Sequence, residues 1–591
     1  MRSTRIAALL AVACVSAVAA GCGSSNDNKT SSSGGSASTT APANAKKGGT
    51  LTMVSSGDVD NKLDPGYSYY QFDFILDNDL HRTLLRYKPN DTDKPSPDLA
   101  ESEPTVSSDG KTITVKIRKG VKFSPPVNRE VTSADVKYAM ERDFLPAVGN
   151  GYAGAYWGDI LGVDEYKAGK AKEISGITTP DDSTLVIKLK RPTASIVIGA
   201  MALPGTAPVP KEYAAKYDAG KQSQYGLYLV TTGPYMVQNN ASGKVTGYQP
   251  GRKITMVRNP NWDKSTDWRP AYLDKIIVEE GNDPNVGNRK ILNGQSMVAN
   301  PPDLAPPPQF LKQNINGPKK DQLVQSPYTG RTRWVSLNTK VKPFDDINVR
   351  KAVFAALDRK AMNLAFGGET VGAIANHIIP PGVAGFDQAG GLAGPDLDFL
   401  KKPEGDPALA ASYMKKAGFS SGKYNGPAIL EVADNATNQK AAATVVLSTL
   451  KDLGFKVNFR PVTRDTMYSK YCGIPKSKTN ICPSTGWLKD FADPQTMLDP
   501  TFNGKNIVPT NNSNWPQLDV PAINQAMDKA ETVVGDDARA QAWADIDKMV
   551  TEQAAAIPWQ WDKPYLVRSA NVNPVLNKAN AAWDLSSISL K

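Results

Sequence analysis

Histidine and cysteine are nearly missing from this 591-residue chain. The only histidines are His81 and His377, and the cysteines are Cys14, Cys22, Cys472 and Cys482. A His/Cys metal cluster therefore lacks partners, and a Ser-His-Asp triad has almost nothing to draw on. No G-x-S-x-G elbow and no Walker loop occurs. An enzyme is not expected, nor a cofactor or metal. Beyond the N-terminus no run of 18 apolar residues exists, so the mature chain is not expected to span a membrane. The formal charge is +10. The excess is spread thinly, with no basic block interleaved with aromatics, which argues against nucleic acid as a partner.

What is present begins with a leader. Residues 1–22 read "MRSTRIAALLAVACVSAVAAGC": Arg2 and Arg5, a short apolar run from Ile6 to Ala20, then small residues. This is the pattern of a secretory signal. Its end, "AAGC", resembles a bacterial lipobox, with Cys22 as the lipidated new N-terminus. Ala19 stands where leucine is commonest. Cys14 in "AVAC" is a rival with a shorter apolar run, and plain secretion with nearby cleavage is another reading. Residues 23–47 are rich in Gly, Ser, Thr and Asn and poor in apolar side chains, a flexible tether with a reach of roughly 25–30 Å.

Cys472 and Cys482 remain, in "YCGIPKSKTNICPSTGW". In an exported chain they read as a disulfide closing a small loop; a metal site is the rival, but both histidines are distant in sequence.

The length calls for two or three subdomains. The 44 prolines and 47 glycines suit a loop-rich α/β protein better than a helical bundle. Ile113, Val115 and Ile117 alternate as in a half-buried strand, and Leu185, Ile187 and Leu189 repeat the pattern. "RKITMVRNPNW" reads as a strand entering an Asn-Pro turn. Thr132 and Asp135 have capping-box spacing before a helix carrying Val136, Ala139 and Met140 on one face. "PFDDINVRKAVFAALDRKAMNLAFGG" predicts one strong helix, capped by Asp345 or Asp346 and stopped at Gly367. "DDARAQAWADIDKMVTEQ" predicts another, with Trp543, Ile546 and Val550 on one face. "AAAIPWQWDKPYLVRS" returns to strand.

Several segments together resemble family 5 of the extracellular solute-binding proteins, the oligopeptide- and dipeptide-binding lipoproteins of ABC importers. They are "NKLDP" (61–65), the stretch 97–142 containing "SPPVNREVTSADV", "TTGPY" (231–235), "RNPNW" (258–262), "LNTKVKPFDDINVRKAVFAALDR" (337–359), "GWLKDFADPQTMLDPTFNG" (486–504) and "IPWQW" (557–561). Each is weak alone; order and spacing carry the likeness from about residue 48 to the end. The resemblance implies an α/β, two-lobed periplasmic-binding-protein-like fold of type II, with the extra inserted subdomain of the peptide-binding cluster and a hinge between lobes. Carried over, lobe I uses 48–88, 229–330 and 561–591, the inserted subdomain 89–228 and lobe II 331–560. It further implies a monomer, held by its lipid at the outer face of the bacterial cell membrane, that captures a peptide or similar small ligand for ABC permease subunits. An oligosaccharide, a metal chelate or a signalling peptide is an alternative cargo, and a regulator without transport an alternative role.

In peptide-binding members an aspartate at the place of Asp490 pairs with the ligand's N-terminal ammonium. An enclosed terminal charge needs an ionic partner once its hydration is lost. Trp487 and Phe491 would lower the local dielectric and Gly486 would admit close backbone approach. The bland reading makes Asp490 a helix cap or the partner of a nearby lysine; Asp493, before Pro494, suits a turn. Tyr69, Tyr70, Trp334, Trp559 and Trp561 are further candidates to line the cavity, since aromatic faces accept varied groups.

Overall fold

In the computed structural model, residues 38–59, 63–301 and 303–591 are described. The leader, Cys22 and most of the tether lie outside them, as do Asn61 and Lys62 of the "NKLDP" segment.

Among the described residues three sheets have four or more strands, and four two-stranded pairs accompany them. The first runs in the order Val298–Ala299, Thr50–Val54, Lys275–Glu279, Lys253–Arg258, Tyr235–Val237. Its first three strands are mutually parallel, and the last two pair antiparallel. The strand read in "RKITMVRNPNW" is its fourth, Lys253–Arg258. The second sheet runs Gly372–Ala373, Ala556–Asp562, Arg331–Leu337, Ile481–Leu488, Ile429–Asp434, Val457–Val462. Its two most continuous strands are buried along nearly their whole length, because helices and loops cover both faces. The third sheet is small and wholly antiparallel: Thr105–Val106, Thr112–Lys116, Thr184–Lys188, Ile177–Asp181. Ile113, Val115, Leu185 and Ile187 are its buried face.

Beside the small sheet lies helix Ser133–Arg142, started by the capping box expected from Thr132 and Asp135. Asp135 Oδ2 accepts from the Thr132 backbone at 2.8 Å. The same helix ends in Arg142, which is 1% exposed and reaches Asp64 through two bonds of 2.7 Å and Asp218 through two of 2.8 and 3.0 Å. The aspartate of "LDP" is therefore an ionic rivet between the segment after the first strand and the small-sheet module.

The single helix expected over 345–367 is two. Helix Ile347–Ala356 is capped by Asp346, whose side chain accepts from Asn348 N. Leu357 then adopts extended backbone, and Asp358 caps a second helix, Arg359–Phe366, accepting from Ala361 N. An aspartate able to satisfy orphan amides makes the break cheap. Gly367 ends the pair as expected. Helix Asp536–Glu552 buries Trp543, Ile546 and Val550.

The chain passes between the first and second sheets along Leu323–Gln325 and returns along Tyr565–Val567. These two crossings pair with each other antiparallel. Two hydrogen-bonded connections form a natural hinge. Strand Ala556–Asp562 lies wholly in the second sheet.

Candidate functional site

A cavity of about 650 Å³ opens between the first and second sheets. This is within the range of roughly 300–1,000 Å³ common for small-ligand sites. Asp58 and Asp303 come from loops of the first sheet; Arg331, Arg333, Asp434, Arg464, Gly486 and Asp562 come from the second sheet and its connections.

The two walls differ electrostatically. On the first, Asp58 accepts from Tyr248 Oη at 3.0 Å and from Gly251 N at 2.8 Å. Burial, with Asp58 beside it, pushes the Glu280 carboxyl up to about 9, so that carboxyl keeps its proton near neutrality. On the second wall, Arg331 and Arg333 stand two apart on one strand and therefore on one face, while Thr332 donates to Ile378 O and Trp334 packs on Phe502 on the other. Arg333 forks onto Asp562 with bonds of 2.7 and 2.6 Å and lies 4.5 Å from the Phe366 ring centre. Among the described residues one ion pair crosses the cavity: Arg464 Nη1 to Asp303 Oδ1, 2.6 Å, with the same guanidinium 4.6 Å from the Tyr70 ring.

Asp490 stands apart from this cavity. It lines a pocket of only about 70 Å³, with Gln71 shared between the two spaces. The Tyr156 hydroxyl donates to its Oδ2. Tyr152 stacks 5.9 Å from Tyr156, Phe491 lies edge-on to Tyr156 at 5.2 Å, and Trp487 sits 5.9 Å from Tyr69. Burial among these rings pushes the Asp490 carboxyl up to about 8, although Tyr156, Trp487 and Tyr152 oppose the shift. No lysine is hydrogen-bonded or ion-paired to Asp490 among the described residues. Asp493 does take the bland role: it accepts from Gln495 N at 2.8 Å and pairs with Arg539 at 2.7 and 3.0 Å.

Of the other candidates, Tyr69 and Tyr70 line a pocket of about 50 Å³ together with Tyr468, and Tyr69 Oη lies 2.7 Å from Ser513 Oγ. Gly486 lines the cavity between the sheets, but its first demand comes from the neighbouring strand: a Cβ there would meet Thr332 O at 2.8 Å. Trp334, Trp559 and Trp561 are fully buried and line none of these three spaces. They are core, because strands covered on both faces have no solvent side to offer a tryptophan. The sequence reading missed Tyr152, Tyr156, Arg331, Arg333 and Arg464. For the first pair of arginines a signal existed: "RTRW" places two cations at period two beside an apolar stripe. Among the described residues there is no group of three or more His, Cys, Asp or Glu able to hold a metal ion, and no helix is long and apolar enough to cross a membrane.

Two lobes around a lined cleft, joined by a double crossing, define a two-lobed binding protein of type II. The chain belongs to the bacterial extracellular solute-binding proteins of family 5, whose middle-region model matches residues 94–508. It is 25% identical over 489 residues to heme-binding protein A of Haemophilus influenzae, covering 81% of each chain. It is 25% identical over 478 residues to the oligopeptide-binding protein OppA of Bacillus subtilis, covering 80% of each. Among solved structures, clavulanic acid biosynthesis oligopeptide binding protein 2 superposes with a TM-score of 0.77 at 26% identity, over 94% of this chain and 99% of that one. These relatives are binding proteins rather than enzymes.

Proposed function

We propose that this chain is the extracytoplasmic substrate-binding component of an ABC importer. In this reading it is tethered to the outer face of the cell membrane by a lipid on Cys22, captures a peptide between its lobes and delivers it to permease subunits. Residues 48–88, 229–330 and 563–591 form lobe I, 89–228 the inserted subdomain and 331–562 lobe II. The observation that carries the reading is the cavity between the sheets, with a carboxylate wall facing an arginine wall. A peptide is a zwitterion whose enclosed ends need partners of both signs. Asp490, in the small pocket that meets the cavity at Gln71, is the partner we assign to the ligand's ammonium; the Tyr156 hydroxyl bonds it until the ammonium takes that place.

Native mass spectrometry of the purified protein tests the function. A retained mass that released as an unaltered peptide, and that calorimetry shows rebinding without turnover, is the expected result. A retained heme or sugar, with no heat from mixed peptides, would end the peptide reading.

The same reading includes a bond between Cys472 and Cys482, whose Cα atoms lie 6.1 Å apart. Cys482 sits on the strand that leads to Gly486. Mass mapping without reduction should give one linked peptide and no alkylatable thiol. Replacing both by serine should cost about 2–3 kcal/mol, the loop-closure value for a loop of this size, measured by urea unfolding. Two free thiols in the native protein would refute the pairing.

A further inference from the structure

A second chamber, of about 860 Å³, lies between the small-sheet module and the helices that follow strand Ile481–Leu488. It shares no lining residue with the cavity between the sheets. Its two sides are not packed together across this space; they meet at the rim. At one edge Tyr156 is met edge-on by Phe491, whose ring a Cβ on Gly199 would meet at 2.5 Å. At another, Arg191 meets Glu531. Arg191 follows strand Thr184–Lys188, and Glu531 ends helix Pro521–Ala530. The guanidinium donates to Glu531 Oε2 at 2.5 Å and to Asp528 O at 3.2 Å, one of the carbonyls that a helix end leaves without a partner.

This pair is built unlike the buried Arg142 cluster, where two carboxylates lean on one guanidinium. Here each member has a further partner on its own side. Arg191 forks onto Asp159 with bonds of 3.1 and 2.7 Å, and Thr193 Oγ1 donates to the same carboxylate at 2.9 Å. Glu531 Oε1 accepts from Lys505 Nζ at 3.1 Å, and that ammonium also reaches Asp528 at 2.9 Å and Asp499 at 3.3 Å. Separating the two sides breaks the pair but strands neither charge, so the large cost of an orphaned buried ion does not arise. The fork on Asp159 keeps the guanidinium ordered for the next encounter, which lowers the cost of forming the contact again.

We propose that Arg191 and Glu531 are a releasable latch, holding the small-sheet module to the second-sheet lobe from outside the cargo cavity. The inference goes beyond cargo recognition and stands whatever the cargo is. The latch follows pH. Arg191, with Asp159 behind it, faces Glu531 from the small-sheet module; Asp499, Lys505 and Asp528 face it from its own side. Arg539 touches only the Glu531 backbone carbonyl and pairs its charge with Asp493. Burial, then Asp499, push the Glu531 carboxyl up to about 7, against Lys505 and Arg191. Below that value Glu531 gains a proton and loses its ionic hold on Arg191, so the latch is firm at pH 8 and slack at pH 5.5. Salt slackens it too, because the Arg191 side chain is 35% exposed.

Double electron–electron resonance on the purified mature chain tests this without any cargo. Nitroxides are carried on ketone-bearing residues in place of Lys170 and Val534, exposed positions on the two sides, which spares the cysteines. At pH 8 in low salt, the ratio of short to long distances should fall roughly fivefold from the native side chains to Arg191→Gln, the scale of a part-exposed ion pair. Glu531→Gln and the double variant should show the same fall and no more, because all three lose one bond. Acid at pH 5.5, or 1 M salt (about a 3 Å screening length), should bring the native ratio down to that of the variants. Equal distributions in native and variant proteins at pH 8 overturn the latch. So does a native distribution that ignores both acid and salt, a result that needs no variant to fold. An acid response undiminished in Glu531→Gln overturns the role given to that carboxyl. None of these results touches the peptide reading, which mass spectrometry and calorimetry test separately.

Discussion

Arg142→Met should destabilise the protein by about 3–5 kcal/mol, the usual cost of stripping one partner from a buried ionic cluster. Arg142 is 1% exposed, and its two partners, Asp64 and Asp218, are 4% and 8% exposed. The substitution keeps chain length and apolar bulk. What it removes is the charge that both carboxylates lean on, together with the contact of the guanidinium 5.0 Å above the Tyr225 ring. Burial by itself raises Asp64, but the charge and hydrogen bonds of Arg142 outweigh it and hold that carboxyl below the ordinary range. A depressed carboxylate contributes stability that is fully present above its unfolded value, about 3.9, and is lost as the pH falls through its folded value. The gap between native and variant proteins in urea unfolding should therefore be full at pH 6–7 and shrink below about pH 4. A gap that is small at neutral pH, or that widens in acid, would show that Asp64 and Asp218 find other partners.

The second large effect concerns binding. Asp490→Asn should weaken a peptide with a free N-terminus by about 30-fold to several-thousand-fold, the 2–5 kcal/mol of an enclosed pair that loses one charge. An N-acetylated peptide should bind the native protein poorly and lose much less affinity in the variant. The pH dependence gives an independent sign. Asp490 lies near 8 in this structure because it is buried, so below pH 8 it must release a proton to meet an ammonium. The ligand's own α-amino group loses its charge near 7.7–8.0. Affinity for the free peptide should rise from pH 5 towards about 8 and fall beyond it, and in Asp490→Asn the rise should disappear. Removing the elevated carboxyl also removes a cost of folding, since a raised carboxylate opposes folding increasingly from pH 4 to 8; the variant should be at least as stable as the native protein at pH 7. Equal losses for free and acetylated peptides would place Asp490 outside the recognition of the terminus.

Much of the architecture could be read in advance where the information is local. The alternation of Ile113 with Val115 and of Leu185 with Ile187, the capping pair Thr132 and Asp135 and the stripe of Trp543, Ile546 and Val550 depend only on the periods of strand and helix. The break at Leu357–Asp358 was missed although it too is local: one aspartate competes with an otherwise continuous apolar stripe, and its capping bond wins. The family likeness rested on ordered short motifs, and the match over residues 94–508 has the same basis.

The site was legible only in part. The "GWLKDF" segment points to Asp490, but not to what surrounds it. Tyr156, whose hydroxyl occupies it, is 334 residues earlier in the chain. Trp334, Trp559 and Trp561 look like pocket residues in the sequence because a tryptophan serves a cavity or a core equally well. The covering of both faces of the second sheet decided for the core. Arg331 and Arg333 announce a charged strand face, yet their difference in role arises from Asp562, more than 200 residues away, which can complete only one of them. The sequence by itself determined the local elements and the family. The tertiary structure decided which charges are paired and which face the cavity, because a buried charge is satisfied or not by groups that only long-range packing brings within hydrogen-bond reach.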